Sequence, residues 1–315
     1  MIYPMDHLLA VFHRHEEALP LAEENVALHR RTLPKDHPKI GTSMCNLARI
    51  YSKLGMNDKA EKLGKQSLTF LKRVLPQNHS EIRRTLRFLQ TFYFGIERYD
   101  QALLIEEEYL LLCKRVLPKD HPKIGTSLSN LACIYFRLGL YDKAEKMAKQ
   151  SLAYFKRVAP HNHTEIGRVL SILAPVYDKL EKREDALPLW EESLRLRRKA
   201  LPKDHPKIGQ CMHKLASTYF KLGMNDKAEK TAKQGLDFLV RVQPEYHVTI
   251  APAMQVLSDI YDRLGSNEET LMMLKQLLTL YKHTLPLDDP RIDEVATRIE
   301  EVGHDTYAQF NDSVI

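Results

Sequence analysis

The chain repeats itself every 42 residues. Prolines mark the start of seven blocks, at Pro34, Pro76, Pro118, Pro160, Pro202, Pro244 and Pro286, with no insertion or deletion between them. Three blocks carry the same nine residues, LPKDHPKIG, at Leu33 to Gly41, Leu117 to Gly125 and Leu201 to Gly209. The alternate blocks read LPQNHSEI, APHNHTEI, QPEYHVTI and LPLDDPRI, so a second period of 84 residues overlies the first. A strict period of this size marks a tandem array in which each unit packs only on its neighbours. The second period implies that a two-unit block was duplicated, and the nonapeptide is the joint between units.

One unit, residues 33–74, shows what is being repeated. Pro38 suits the first turn of a helix, where its missing N–H costs nothing. Ile40, Met44, Leu47, Ala48, Tyr51 and Leu54 then follow at helical spacing. Gly55 ends that helix as a left-handed cap, and Asn57 or Asp58 is the expected N-cap of a second one. Ala60, Gly64, Ser67, Leu68 and Leu71 line the inner face of the second helix. The fold expected is all-α, an α-solenoid of stacked helical hairpins. Six full units are expected at 33–74, 75–116, 117–158, 159–200, 201–242 and 243–284. Residues 1–32 supply the second helix of a partial repeat, which is either an abbreviated cap or the remainder of a longer array. Residues 285–302 read as a more polar capping helix, and 303–315 as a tail.

The series Leu47-Ala48, Tyr51, Gly55, Ala60, Gly64, Ser67 resembles the tetratricopeptide repeat (TPR). The small residue recurs as Ala18, Ala60, Ala102, Ala144, Ala186 and Ala228 before becoming Thr270, and the tyrosine recurs from Tyr51 to Tyr261. The 42-residue period and the LPKDHP joint are similar to the kinesin light chain and nephrocystin-like subgroup. That resemblance implies a superhelix whose first helices line a concave surface. It also implies that the asparagine before the motif leucine holds the backbone of an extended peptide. Asn46 and Asn130 match that position, while Phe88, Ile172, Lys214 and Val256 depart from it. The heptad-rich coiled coil that joins such chains to a motor is missing, so a motor subunit is not expected.

Composition narrows the function classes. No apolar run is long enough to span a membrane, and the first residues lack a secretory pattern. The four cysteines, Cys45, Cys113, Cys133 and Cys211, form no CxxC pair, which points to free thiols in a reducing, cytoplasmic setting. There is no phosphate loop and no nucleophile elbow, so no enzyme and no cofactor are expected. The clusters HRH (His13 to His15) and HNH (His161 to His163) suggest metal at first sight. However, His37, His79, His121, His163, His205 and His247 share one repeat position. They therefore belong to the joint, where an imidazole caps a helix start, and no metal site is expected.

One stripe of each first helix lies opposite the Leu/Ala/Tyr stripe. Its basic members are Arg49, Lys53, Arg84, Arg87, Arg137, Arg168, Lys179, Lys214, Lys221 and Arg263. Its acidic members are Asp178, Asp259 and Asp262, although the whole chain carries 47 basic against 41 acidic residues. Phe88, Phe94, Phe136 and Phe220 lie on the same stripe, either as packing between units or as pockets for a ligand side chain. A single-sign concave face focuses potential. The expected function is therefore a protein-interaction scaffold that binds an extended acidic peptide. Asn46 and Asn130 would hold the peptide backbone, and the basic residues with Phe88, Phe136 and Phe220 would form the groove. Nucleic-acid binding through the same face is one alternative, but stacking aromatics are not interleaved with the cations. Self-assembly through the N-terminal half-repeat is another.

Overall fold

The computed structural model describes the backbone of residues 5–242 and 247–312 and the side chains of residues 15–242 and 248–303. His13, His247, the opening residues of the sixth unit and the side chains of the tail beyond Gly303 lie outside the described residues. The chain divides into two compact units at Ala159 and Pro160. The first holds α1 (Met5–Thr32), α2 (Pro38–Lys53), α3 (Asn57–Val74), α4 (Ser80–Gly95), α5 (Tyr99–Val116), α6 (Pro122–Arg137) and α7 (Tyr141–Val158). The second holds α8 (His163–Lys179), α9 (Arg183–Ala200), α10 (Pro206–Lys221), α11 (Asn225–Val242), α12 (His247–Arg263), α13 (Asn267–Thr284) and α14 (Pro290–Asp312). No strand occurs among the described residues. Within each unit the helices pair as hairpins, and each hairpin packs on the next.

The nonapeptide is accounted for almost residue by residue. The amide of Leu33 closes α1 on the carbonyl of His29 at 3.0 Å, and Pro34 O accepts from the His37 amide at 2.9 Å. Nδ1 of His37 caps α2 by accepting from the Lys39 amide at 3.2 Å, and Pro38 starts the helix. Asp36 pairs with Arg73 at 2.8 Å, near the end of the following helix. Ile40 is buried, and Gly41 lies against α3 so closely that a Cβ there would sit 2.6 Å from Leu71 Cγ. Ser67 seals the contact by donating to Gly41 O at 2.6 Å. Gly125 and Gly209 make equally close approaches, to Tyr154 and to Leu239, each at 2.7 Å. A joint that sets the chain turn, the helix cap and the helix–helix distance together tolerates little variation.

Several motif tyrosines tie their hairpin to the helix before it. Tyr51 donates to Glu23 of α1 at 2.6 Å, Tyr135 to Glu107 of α5 at 3.0 Å, and Tyr219 to Glu191 of α9 at 2.6 Å. These bonds hold the phenolic proton in place, and the Tyr51 and Tyr219 hydroxyls are pushed up to about 12, first by burial and then by the bonded carboxylate.

Three local expectations change. The N-cap of α3 is Met56, with no side-chain cap bond, and Asn57 is already helical. The reason is the tightness of the turn: Gly55 at φ +71° returns the chain so that the Met56 amide bonds Tyr51 O at 2.9 Å, and α3 starts at once. In α8 the cap is Asn162, whose Oδ1 accepts from the Glu165 amide at 3.2 Å; His163 is the first helical residue and not a cap. At the last joint Asp289 stands where the other units have histidine and accepts from the Arg291 amide at 3.1 Å. Pro175 lies inside α8, which runs from His163 to Lys179, and one turn earlier Ser171 Oγ donates to Arg168 O at 2.7 Å.

The Gly41 contact yields the first prediction. Gly41→Ala places a methyl group inside the Leu71 and Phe70 side chains. It should lower unfolding stability by about 1–3 kcal/mol, the usual cost of overpacking a filled core. Gly95→Ala, where a Cβ meets nothing within 4 Å, should not. Chemical denaturation of the two variants checks this.

Candidate functional site

In the first unit, four of the expected groove residues come together. Arg49 and Lys53 of α2 and Arg87 and Phe88 of α4 line one open cleft of about 640 Å³. Ser52, Asn57, Thr91, Phe92, Gly95 and Ile96 complete the wall, and no carboxylate lines it. The spacing produces this directly, because positions three and four apart share a helix face and the α2 and α4 faces lie side by side. Phe88 is buried and forms the floor, with the Arg49 guanidinium 5.8 Å above its ring. Its near edge also packs towards Gly64 of α3, so this ring belongs to the core as well as to the cleft. Lys53 is exposed at the mouth. Asn46, one turn earlier on α2, is exposed, and its Oδ1 accepts from Arg84 at 3.5 Å.

Other expected residues are committed elsewhere. Arg87 forms an ion pair at 3.1 Å with Glu106, which is fully buried on α5. Glu106 also accepts from Ser127 and, at 3.5 Å, from Asn130 Nδ2. Asn130 therefore reaches an internal ion pair. The cause lies in the repeat itself: Glu106 occupies the position of Gly64 and Ala148, where the hairpins touch, and a carboxylate there needs partners. Phe136 is half-buried with its ring centroid 5.7 Å from that of Tyr141, while Arg137 is exposed.

In the second unit the same stripe is more neutral than its composition suggested. Arg168 bonds Glu165 through two nitrogens, at 3.1 and 2.8 Å. Lys221 lies 3.6 Å from Asp178, and Lys179 is exposed. Arg263 stacks 3.8 Å over Phe220 and donates to its carbonyl at 2.8 Å. Asp259 and Asp262 both bind Arg298 of α14, at 2.7 and 3.4 Å. Arg298 holds the repeat position of Asn46, and reading the cap helix by the same register would have found it. Carboxylates outside the stripe thus reach into it, which counting along first helices could not show. Lys214 keeps exposed surface, but its ammonium is crowded enough by surrounding protein, and by Lys221, to be held below the usual lysine range, with Asp178 opposing. Beside it, buried His213 is pushed down to about 3 by burial and then by Lys214.

A sequence model of the tetratricopeptide repeat matches residues 7–73, 81–157 and 165–239, well over half of the chain. The chain belongs to the tetratricopeptide repeat family, whose members act as protein-interaction scaffolds. Among curated proteins nothing matches this sequence. Among solved structures it is similar to a candidate kinesin light chain of nearly identical TPR-like repeats from Podospora anserina. Identity there is 23%, with 66% of this chain and 98% of that one covered and a TM-score of 0.55. It is also similar to BtubC (BKLC) from P. vanneervenii, at 21% identity, 72% and 91% coverage and a TM-score of 0.62. Aspartyl phosphate phosphatase F from Bacillus subtilis matches at 13% identity, 88% and 73% coverage and a TM-score of 0.61. At these identities the likeness is one of fold.

Two predictions follow from the buried charges. Arg87→Ala strands Glu106 without its cation and should cost about 3–5 kcal/mol. The double variant with Glu106→Ala, the residue found at this position in α7, should recover most of that loss in a denaturation series. His213 has its folded pKa depressed from 6.5 to about 3. The unfolded chain therefore binds the extra proton first as pH falls. This contribution is complete above pH 6.5 and is lost progressively towards pH 3, by up to about 1.4 kcal/mol per pH unit. His213→Gln should flatten that part of the stability–pH curve, as followed by urea melts between these limits.

Proposed function

We propose that this chain is a non-enzymatic scaffold whose α2–α4 cleft binds an extended acidic segment of a partner protein. The observation that carries the reading is the convergence of Arg49, Lys53, Arg87 and Phe88 on one open cleft with no carboxylate in its wall. Among the described residues Arg49 and Lys53 lie outside any ion pair, so their charges are available to a ligand. Arg87 keeps its own partner and contributes field and shape. Lys53 and Arg49 pair the peptide's carboxylates, Asn46 supplies a donor to its backbone, and the edge of Phe88 receives one apolar side chain. In unit two, Lys179 and Lys221 extend the same chemistry at lower charge. No helix among the described residues is long and apolar enough to cross a membrane. The reading places the chain in the cytoplasm, where its cysteines, all free, stay reduced.

Selection from a random peptide display library, on the parent chain and on Arg49→Glu/Lys53→Glu, tests this. The parent should enrich acidic peptides with a bulky apolar residue, and the variant should bind them at least about tenfold more weakly. Affinity of the parent should fall several-fold between about 0.05 and 0.5 M salt. Equal enrichment by both proteins, or affinity indifferent to salt, overturns the reading, as does preference for an oligonucleotide over every peptide.

A further inference from the structure

A chain this regular makes its irregularities informative. The position of Arg197 is filled elsewhere by Leu71, Cys113, Phe155 and Leu239, all fully buried core residues, and by the partly buried His29 and Tyr281. The position of Trp190 is filled by Ala22, Gly64, Ala148 and Ala232, residues small enough for two helices to touch, and otherwise by Glu106 and Leu274. His213 stands where the other units have Cys45, Arg87, Ser129, Ser171 and Gln255. These three exceptions, scattered over α9 and α10, line one cleft of about 330 Å³, together with Lys214, Ser171 and Pro252. The exceptions are not independent of one another in space, although nothing in the spacing of the sequence links them.

The cleft is built and unsatisfied. Trp190 and His213 keep only 4% and 6% of their surface, yet Trp190 Nε1 and His213 Nδ1 are buried without a hydrogen-bond partner. The Arg197 guanidinium bonds neutral oxygens alone: Ser171 Oγ at 2.8 Å, Lys207 O at 3.3 Å and Ser193 Oγ at 3.3 Å. Asp178, the acid that acts on Lys214, does not line the cleft and is held by Lys221 at 3.6 Å. Room for the guanidinium comes from a looser hairpin. A Cβ on Gly167 would lie 3.6 Å from Arg197 Cγ, where the corresponding approach at Gly41 is 2.6 Å. The contrast with Glu106 is direct. In the first unit an odd polar residue at the hairpin contact is closed off by Arg87, Ser127 and Asn130. In the second unit the odd residues are donors and cations, and they face an opening.

We propose that this cleft is a binding site for a single carboxylate on a short apolar stem, with Arg197 and Lys214 taking the charge and the Trp190 indole and Pro252 holding the stem. Burial holds both cations below their ordinary basicity, and in such surroundings an added anion gains more from each than it would in water. The carboxylate has two possible bearers, a free small organic acid or a glutamate side chain of a bound peptide. Either way the site is separate from the cleft between α2 and α4.

Trp190 is the one tryptophan of the chain, so its fluorescence reports on this cleft alone. The full-length protein is titrated with propionate and benzoate, with their amides, with inorganic phosphate, and with end-blocked peptides carrying one glutamate or one glutamine. A saturable change with the acids and none with the amides is expected, and it assigns the site to free organic acids. A change with the glutamate peptide alone assigns it to a peptide side chain. Arg197→Leu installs the residue that Leu71 and Leu239 hold in the other units and keeps the probe. It should weaken the response at least about tenfold while the helical circular dichroism stays unchanged. No response to any carboxylate, an equal response to acids and amides, a response to phosphate only, or an Arg197→Leu variant that binds like the parent overturns the proposal. Because Arg49 and Lys53 take no part, failure here leaves the peptide reading standing, and failure of that reading leaves this titration unaffected.

Discussion

The rest of the structure depends on one close contact, the approach of the two helices of a hairpin at the glycine of the joint. At Gly41 the backbone of α2 meets the side chains of α3 with no space for a methyl group, and Ser67 bonds the exposed carbonyl. The same serine-to-glycine bond recurs as Ser151 to Gly125 at 2.8 Å and Ser193 to Gly167 at 2.9 Å. A helix–helix distance set by backbone contact recurs at Gly41, Gly125 and Gly209 and is looser at Gly167. It also explains why the nonapeptide recurs unchanged: its proline, histidine, aspartate, isoleucine and glycine each do a different part of one job.

Regularity makes polar residues at core positions expensive, and the chain has met this in two ways. Glu106 is neutralised internally by contacts to Arg87 and Asn130. Trp190, Arg197 and His213 are not closed in this way and line a cleft. The first arrangement is the ordinary fate of a buried ion, which is kept only with good partners. The second is the exception that calls for an explanation, since buried polar groups are mostly hydrogen-bonded.

The basic face follows the same logic. A charge contributes to a ligand only when no nearer countercharge holds it, so Arg168, Arg87 and Lys221 count for less than Arg49 and Lys53. The cleft in the first unit stands out because its two free cations sit over an apolar floor. The stripe in the second unit is largely self-neutralised, and Arg298 from the cap completes that neutralisation.

The sequence by itself determined the helices, their order and their joints, because these follow from local chemistry repeated every 42 residues. Proline and histidine open α2, glycine in the left-handed region closes it, and alanine marks the contact with α3; each signal lies within a few residues of its effect. The sharing of a face by Arg49, Lys53, Arg87 and Phe88 was legible for the same reason, since helical periodicity and a fixed register carry it. What only tertiary structure decided was which of those charges were already taken. Glu106, Glu165 and Arg298 lie outside the first-helix stripes of the six units or in another turn of it, and their reach depends on side-chain length and packing. The cleft around Trp190 was hidden for a related reason. Its lining comes from α8, α9, α10 and α12, Trp190 and Arg197 stand at positions that sequence spacing assigns to the hairpin contact, and the packing there is looser at Gly167 than at Gly41.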